Sequence, residues 1–332
     1  MTNPNADKLK KIGLDVWHDL GYNGELGLSA TAEKLVVDRR TDGWWTSPIY
    51  PSGGSDHALC TALVFHTFAP KRRLVSLPAT NAKNQDGLYF ASHSAQYILN
   101  NGIDTLFCSM SSGDTSDMDN YLGNLPYLFY VNSAGNGGET GTYNTATRNR
   151  WIFGVGALNA KTEQPPPYSS HSPYIDFSMF DNVYIESSKG TFYPFNGTSC
   201  SAPALAGVAA CVNHFFILKT GKPLLKEKMY QFLKDCSKDI WEEGKDDRTG
   251  WGLPILPHPN SVDIEKYATK GGEEDMYFKD IQDHWAKLAI NAVTDAGYMN
   301  GYTDGTFRPD RPLTRAELAQ VLYNLKIKGD EK

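Results

Sequence analysis

Asn196-Gly197-Thr198-Ser199-Cys200-Ser201-Ala202-Pro203-Ala204-Leu205-Ala206-Gly207 is the stretch on which the fold and the chemistry turn. A polar loop runs into an alanine- and glycine-rich helix, and its first turn can accept Pro203 because the N–H groups there have no intrahelical partner. Ser199 is thereby expected just before a helix N-terminus, where unpaired N–H groups and the helix dipole favour negative charge. A lone serine in that place is an N-cap. The same placement also suits a nucleophile.

The rest of the chain bounds what this stretch can belong to. It has 332 residues, 40% hydrophobic and 21% charged, with five cysteines and a net charge of −6. That composition is globular rather than disordered, fibrous or disulfide-stapled. Its length exceeds what one hydrophobic core comfortably fills, so a core plus an appendage is expected. The longest apolar window, around 202–218, is broken by Asn213 and His214, so no membrane span is expected. Basic residues cluster only at Lys71-Arg72-Arg73 in an acidic chain, which argues against nucleic acid as a partner. Cys60, Cys108, Cys200, Cys211 and Cys236 are odd in number, lack a CxxC pair and sit in apolar surroundings. They read as free thiols in a reduced compartment.

Between residue 24 and about residue 160, short apolar runs alternate with helical patterns. Strands are expected at 35–37, 74–77, 105–108, 127–131 and 152–155, with helices at 58–68 and 94–100 and an amphipathic helix at 6–20. Such alternation predicts an α/β fold with a mostly parallel sheet covered by helices on both faces. Pro257-His-Pro-Asn260 and Gly271-Gly-Glu-Glu-Asp275 mark a linker, giving a first domain at 1–256, a linker at 257–275 and a small helical module at 276–326.

The stretch around Ser199 closely resembles the nucleophile motif of subtilisin-like serine proteases, Gly-Thr-Ser-x-x-x-Pro running into an Ala/Gly-rich helix. The resemblance implies acid, histidine and serine in that chain order. Asp56-His57-Ala-Leu-Cys-Thr opens a helix that ends at Ala69-Pro70 before an apolar strand, so His57 is similar to the family's general base, although its His-Gly-Thr becomes His57-Ala58-Leu59. His66, mid-helix, reads as structural. Tyr127-Leu-Phe-Tyr-Val-Asn-Ser-Ala-Gly-Asn136 resembles the strand that ends at the oxyanion asparagine, which implies that role for Asn136. Ser109-Met110-Ser111-Ser112-Gly113 resembles the segment that pairs with the substrate backbone, and Ser133-Ala134-Gly135 the facing wall; both are small and polar, consistent with an open first specificity pocket. Trp151-Ile-Phe-Gly-Val-Gly-Ala157 and Gly250-Trp-Gly-Leu253 resemble the family's later core segments. No cofactor is implied, and the short distance from His57 to Pro70 leaves no room for the metal-binding loop of some relatives.

The triad acid is not in its usual setting. Asp38 follows the apolar run Leu35-Val-Val37 and is taken as the acid, though the loop from it to His57 is short. Glu33 is the strongest rival, because Gly21-Tyr-Asn-Gly24 resembles the turn before the family's first strand and an ungapped count from it lands there. Asp15, inside a helical pattern, and Asp42, beside Gly43, are further candidates.

The C-terminal segment resembles an S-layer homology module across nearly its whole length, from Phe278-Lys-Asp-Ile-Gln-Asp-His-Trp285 to Gly301-Tyr-Thr-Asp-Gly-Thr-Phe-Arg-Pro-Asp-Arg-Pro-Leu-Thr-Arg-Ala-Glu317. A helix is expected at 285–293, and Thr314 with Glu317 forms a capping box for a second. The resemblance implies an anionic secondary cell-wall polymer as partner, gripped by Trp285, Arg308 and Arg315 through stacking and guanidinium forks. One copy where the family often uses three implies weak single-site binding or avidity through oligomers.

Together these readings imply a subtilisin-like serine endopeptidase, acting on protein or peptide, tethered at the bacterial envelope. The rival is a pseudoenzyme on the same scaffold. Free thiols and the polar start at Met1, with no leader or propeptide, point instead to cytoplasmic synthesis, and a phage-encoded or lytic protein would reconcile the two.

Overall fold

The computed structural model describes residues 3–33, 35, 45–46, 55–77, 94–111 except 96 and 99, 118–268 except 124, and most of 278–330. The chain forms two compact units, Met1–Ala268 and Thr269–Lys332.

The first unit is built on one seven-stranded sheet. In chain order its strands are β1 (Leu28–Thr31), β2 (Trp45–Thr46), β3 (Leu74–Ser76), β4 (Ile103–Cys108), β5 (Phe129–Ser133), β6 (Ile152–Leu158) and β7 (Ile175–Phe180). They lie side by side as β2-β3-β1-β4-β5-β6-β7, every pair parallel. Alternation along the strands divides the core in two. Phe107, Phe129, Val131, Phe153, Val155 and Phe177 face the helices Asp56–Phe68 and Thr198–Thr220, whereas Leu106, Cys108, Tyr130 and Ile152 face a second layer that includes Ile98 and Leu122. Both faces are covered, as a parallel sheet requires.

The order reverses beside β1: β3 lies on one side of it and β4 on the other. A crevice therefore opens outside the carboxyl ends of β1 and β4, the usual ligand position in open α/β sheets. Glu33 lies just past the end of β1, and Ser109 directly follows β4.

The Ser199 helix, Thr198–Thr220, runs through the middle of the unit. It is the one described helix long and apolar enough to cross a membrane, but 89% of its apolar window is buried inside the protein. Gly207 is what lets it approach the His57 helix, Asp56–Phe68, because a Cβ there would sit 2.5 Å from Phe68 Cβ. The first turns of both helices meet the crevice.

Several expectations change. The strand expected at 35–37 lies largely outside the described residues, and the first strand of the sheet is Leu28–Thr31. Ser29, Ala30 and Thr31 are buried without being strongly apolar, so no hydrophobic run announced them. The helix expected at 6–20 is two helices, Ala6–Lys11 and Leu14–Asp19, because the chain turns at Gly13 to receive Leu256, whose N–H donates to Ile12 O at 2.9 Å. Residues 257–268, assigned by composition to the linker, pack onto the first unit. Trp17 Nε1 donates to Pro257 O at 2.8 Å, and buried Tyr267 donates to Asp235 Oδ2 at 2.8 Å.

The antiparallel hairpin β8 (Val183–Glu186) and β9 (Phe192–Phe195) leads directly into the Ser199 loop. None of the five cysteines forms a disulfide. Burial pushes the Cys200 and Cys211 thiols well up and Cys236 up to about 12, so these three are inert at neutral pH.

The second unit has a small core of Phe278, Ile281 and Ile290 with Ala286 and Phe307 against it. Its described helices are Lys287–Asp295, two residues later than expected, and Arg315–Asp330. The capping box forms reciprocally: Glu317 N donates to Thr314 Oγ1 at 3.2 Å and Thr314 N to Glu317 Oε2 at 2.8 Å.

Candidate active site

His57 lies in the first turn of its helix, capped by Ser55, whose Oγ accepts from Ala58 N at 3.0 Å. Its Nδ1 is 2.7 Å from Glu33 Oε2. Glu33 is only 1% exposed, and a buried carboxylate persists only where donors surround it. They are present. Glu33 Oε1 accepts from Ser109 N at 3.0 Å and from Thr61 Oγ1 at 3.4 Å, and the backbone at Glu33 is fixed by Ser76 Oγ donating to its carbonyl at 2.8 Å.

The carboxylate at His57 is thus Glu33 rather than the expected Asp38, which lies outside the described residues, as does Asp42; Asp15 sits in the helix Leu14–Asp19. The reason is register. With β1 ending at Thr31, the residue that reaches over the switch point is Glu33, and its extra methylene lets one carboxylate touch both His57 and the segment after β4. The ungapped count from the Gly21–Gly24 turn had made Glu33 a rival, and the contact decides between it and the expected Asp38 as the carboxylate seen at His57.

The Ser199 end of the site is tied to the same segment. Ser199 Oγ donates to Ser109 O at 3.2 Å, while Ser109 Oγ donates to Ser199 O at 3.1 Å. Ser109 therefore links Glu33, through its N–H, to Ser199, through its carbonyl and hydroxyl. Sequence reading made Ser109 a wall residue and missed this role.

The helix begins at Thr198, so Ser199 stands inside the first turn rather than before it. Gly197 is the cap, at φ 92, which only glycine adopts without strain; Asn136 Nδ2 would lie 3.3 Å from any Cβ placed there. Asn136 Oδ1 accepts from Thr198 N at 3.0 Å and Thr198 Oγ1 at 3.1 Å. A backbone N–H cannot donate to an NH2 group, so these bonds fix the oxygen and leave Nδ2 as the free donor. That donor and the first-turn N–H of Ser199 can both serve an oxyanion.

Ser133 and Ala134 are buried at the end of β5 and Gly135 is half-buried; Ser111 is exposed, and Ser112 and Gly113 lie outside the described residues. Phe195, at the end of the hairpin, sets its ring edge-on to His57 at 5.9 Å, a contact with no signal in the sequence. Trp285, Arg308 and Arg315 are all exposed in the second unit, Trp285 at 90%, so the tryptophan is not a core residue. The Arg308 guanidinium lies over the Tyr302 ring, 4.1 Å from its centre.

The hydrogen bond from His57 to Glu33 raises the histidine pKa above its ordinary value, outweighing the opposing effect of burial. A general base must be neutral, so the acid limb of kcat/KM is expected to fall above about pH 6.5, the unperturbed histidine value. Removing the carboxylate with Glu33→Gln moves that limb to lower pH. Rate profiles of the two proteins on one peptide substrate test this, and coincident limbs would rule out the contact in solution.

Comparison with known proteins agrees with this architecture. The fold is similar to that of a lanthipeptide protease (TM-score 0.61, 18% identity, 75% of this chain and 92% of that one). It is also similar to the prenylagaramide maturation protease PagA (TM-score 0.58, 16% identity, 76% and 96%). The S-layer homology domain matches residues 277–319. The chain is 50% identical over 54 residues to the cellulosome-anchoring protein of Acetivibrio thermocellus, which covers 16% of this chain and 12% of that protein. It is 41% identical over 49 residues to the outer membrane protein SlpA of Thermus thermophilus, 15% of this chain and 5% of that one. The chain thus spans a small part of these relatives' length. The subtilase family model matches residues 54–252, more than half of the chain, and spans His57, Asn136 and Ser199: the chain belongs to the subtilase family.

Proposed function

We propose that this protein is a serine endopeptidase held at a bacterial cell surface by its S-layer homology domain. Ser199 attacks the scissile carbonyl, and His57 takes the hydroxyl proton and returns it to the leaving amine. Glu33 holds the imidazole in the tautomer with its proton on Nδ1 and stabilises the imidazolium. Asn136 Nδ2 and Ser199 N receive the oxyanion, and water then hydrolyses the acyl-enzyme. The observation that carries this reading is the buried Glu33 carboxylate, 2.7 Å from His57 Nδ1 and joined through Ser109 to Ser199.

The domain at residues 277–319 would hold the enzyme to an anionic cell-wall polymer, with Trp285 stacking on sugar and Arg308 and Arg315 pairing with its charges. Similarity to a cellulosome-anchoring protein supports the tether. We place the division between catalytic unit and tether after Ala268.

One observation favours a second reading, a catalytically silent scaffold: the Ser199 hydroxyl donates to Ser109 O, not to His57. Catalytic hydrogen bonds often tighten only with substrate bound, so the first reading is preferred. A fluorophosphonate probe separates the two. Wild type is expected to be labelled at Ser199, and Ser199→Ala not at all. Unlabelled wild type, or equal labelling of the variant, would sink the protease assignment.

A further inference from the structure

Ser109 and Ser111 on one side and Ser133, Ala134 and Gly135 on the other imply an open pocket between the two walls, yet one side chain reaches across the gap. Asn144 precedes the 3-10 turn Thr145–Arg148 and is 1% exposed. Its backbone N–H donates to Ala134 O at 2.8 Å, laying residue 144 along the Ser133–Gly135 wall. Its side chain reaches across to the other wall. Asn144 Nδ2 lies 2.9 Å from Met110 O, 2.9 Å from Ser133 O and 3.0 Å from Asn132 Oδ1. Asn144 Oδ1 accepts from Ala146 N at 3.2 Å, which fixes the nitrogen end of the carboxamide toward the cleft.

Two main-chain carbonyls from opposite walls therefore converge on one NH2 group. They can lie no further apart than two hydrogen-bond lengths, and the carboxamide fills the space between them. A bulky substrate side chain entering there would have to displace that group and leave Met110 O and Ser133 O without this donor.

We infer that Asn144 determines the specificity of the cleft: its carboxamide blocks the first specificity pocket, so the residue on the acyl side of the scissile bond must be small, such as alanine or glycine. This rests on the protease reading above. Asn144 acts by occupying space and joining the walls, and takes no part in proton transfer.

The test uses the full chain and matched tetrapeptide p-nitroanilides that differ only in the last residue, alanine or phenylalanine. Wild type is expected to favour alanine at least about tenfold in kcat/KM, and Asn144→Gly to raise kcat/KM for phenylalanine about tenfold while that for alanine changes less than about threefold. A gain on the larger substrate is an outcome that a merely destabilised variant cannot give. If Asn144→Gly does not fold, Asn144→Ser is measured in the same way. A wild-type preference for phenylalanine, a parallel fall on both substrates, or failure of both variants to fold overturns the inference. Wild type that the fluorophosphonate does not label at all overturns the protease reading instead.

Discussion

Glu33→Gln is expected to lower kcat/KM about 10^4-fold while leaving the protein folded, the scale of loss seen when a triad acid becomes an amide. The substitution is isosteric, so packing around residue 33 is preserved. What it destroys is donor and acceptor matching. The carboxylate accepts from His57 Nδ1 on one oxygen and from Ser109 N on the other. A glutamine has only one oxygen. If that oxygen faces His57, its NH2 faces the Ser109 N–H, donor against donor in a buried site. If it faces Ser109, the NH2 meets Nδ1 and drives the imidazole into the tautomer with its proton on Nε2, which cannot accept from Ser199. Glu33→Asp separates charge from reach. It restores a carboxylate but shortens the side chain by a methylene, so it cannot keep both contacts, and its rate should fall between wild type and Glu33→Gln. Steady-state kinetics on a peptide substrate, with thermal melts to verify folding, measure both. Wild-type rates in Glu33→Gln would return the acid's role to Asp38 or another carboxylate.

Asp104→Ala is expected to cost about 3–5 kcal/mol of folding stability, because it strands a buried cation. Arg72 is fully buried: its Nη2 donates to Asp104 Oδ1, its Nη1 to Leu26 O and its Nε to Ser29 Oγ at 2.9 Å. Asp104 is 1% exposed and also accepts from Thr105 Oγ1 at 2.7 Å. The guanidinium thus joins the residues entering β1 to β4, at the end of the sheet opposite the candidate site. Removing the carboxylate leaves the charge with neutral acceptors alone. Replacing both partners, as Arg72→Met with Asp104→Leu, should cost much less than Asp104→Ala, since no charge is then left behind. Urea midpoints of the two variants measure the difference. Because β1 carries Glu33 beyond its far end, the single variant should also lose activity at a lower temperature than wild type. Equal stability of Asp104→Ala and wild type would mean that water reaches Arg72 and solvates it.

Much of the site was legible because its chemistry is local. The Gly-Thr-Ser loop at Ser199, the helix opened by His57 and the strand ending in Ala-Gly-Asn136 each carry their constraint within a few residues: a cap, a first turn, a strand end. The carboxylate facing His57 was harder to read because its identity depends on where the first strand stops. Leu35-Val-Val37 looks more like a strand than Leu28-Ser-Ala-Thr31, and it pointed to Asp38. In the fold, Ser29 and Thr31 are buried at the sheet centre with their polar atoms satisfied: Ser29 Oγ accepts from Arg72, and Thr31 Oγ1 accepts from Glu33 N at 3.2 Å. Hydrophobic patterning does not detect a core strand made of such residues.

The order of motifs, the parallel α/β architecture and the candidate residues Ser199, His57 and Asn136 could be read from the sequence alone, as could the S-layer homology domain with its Thr314–Glu317 capping box. Tertiary structure alone decided which carboxylate faces His57, that Ser109 connects Glu33 to Ser199, and that Asn144 bonds to both Met110 O and Ser133 O. The division has one physical cause. Caps, turns and strand ends are set by neighbours along the chain. The Glu33, Ser109 and Asn144 contacts join segments that meet only where β1 and β4 diverge or where the residue 144 turn crosses the cleft, and those distances are fixed by strand register and helix packing.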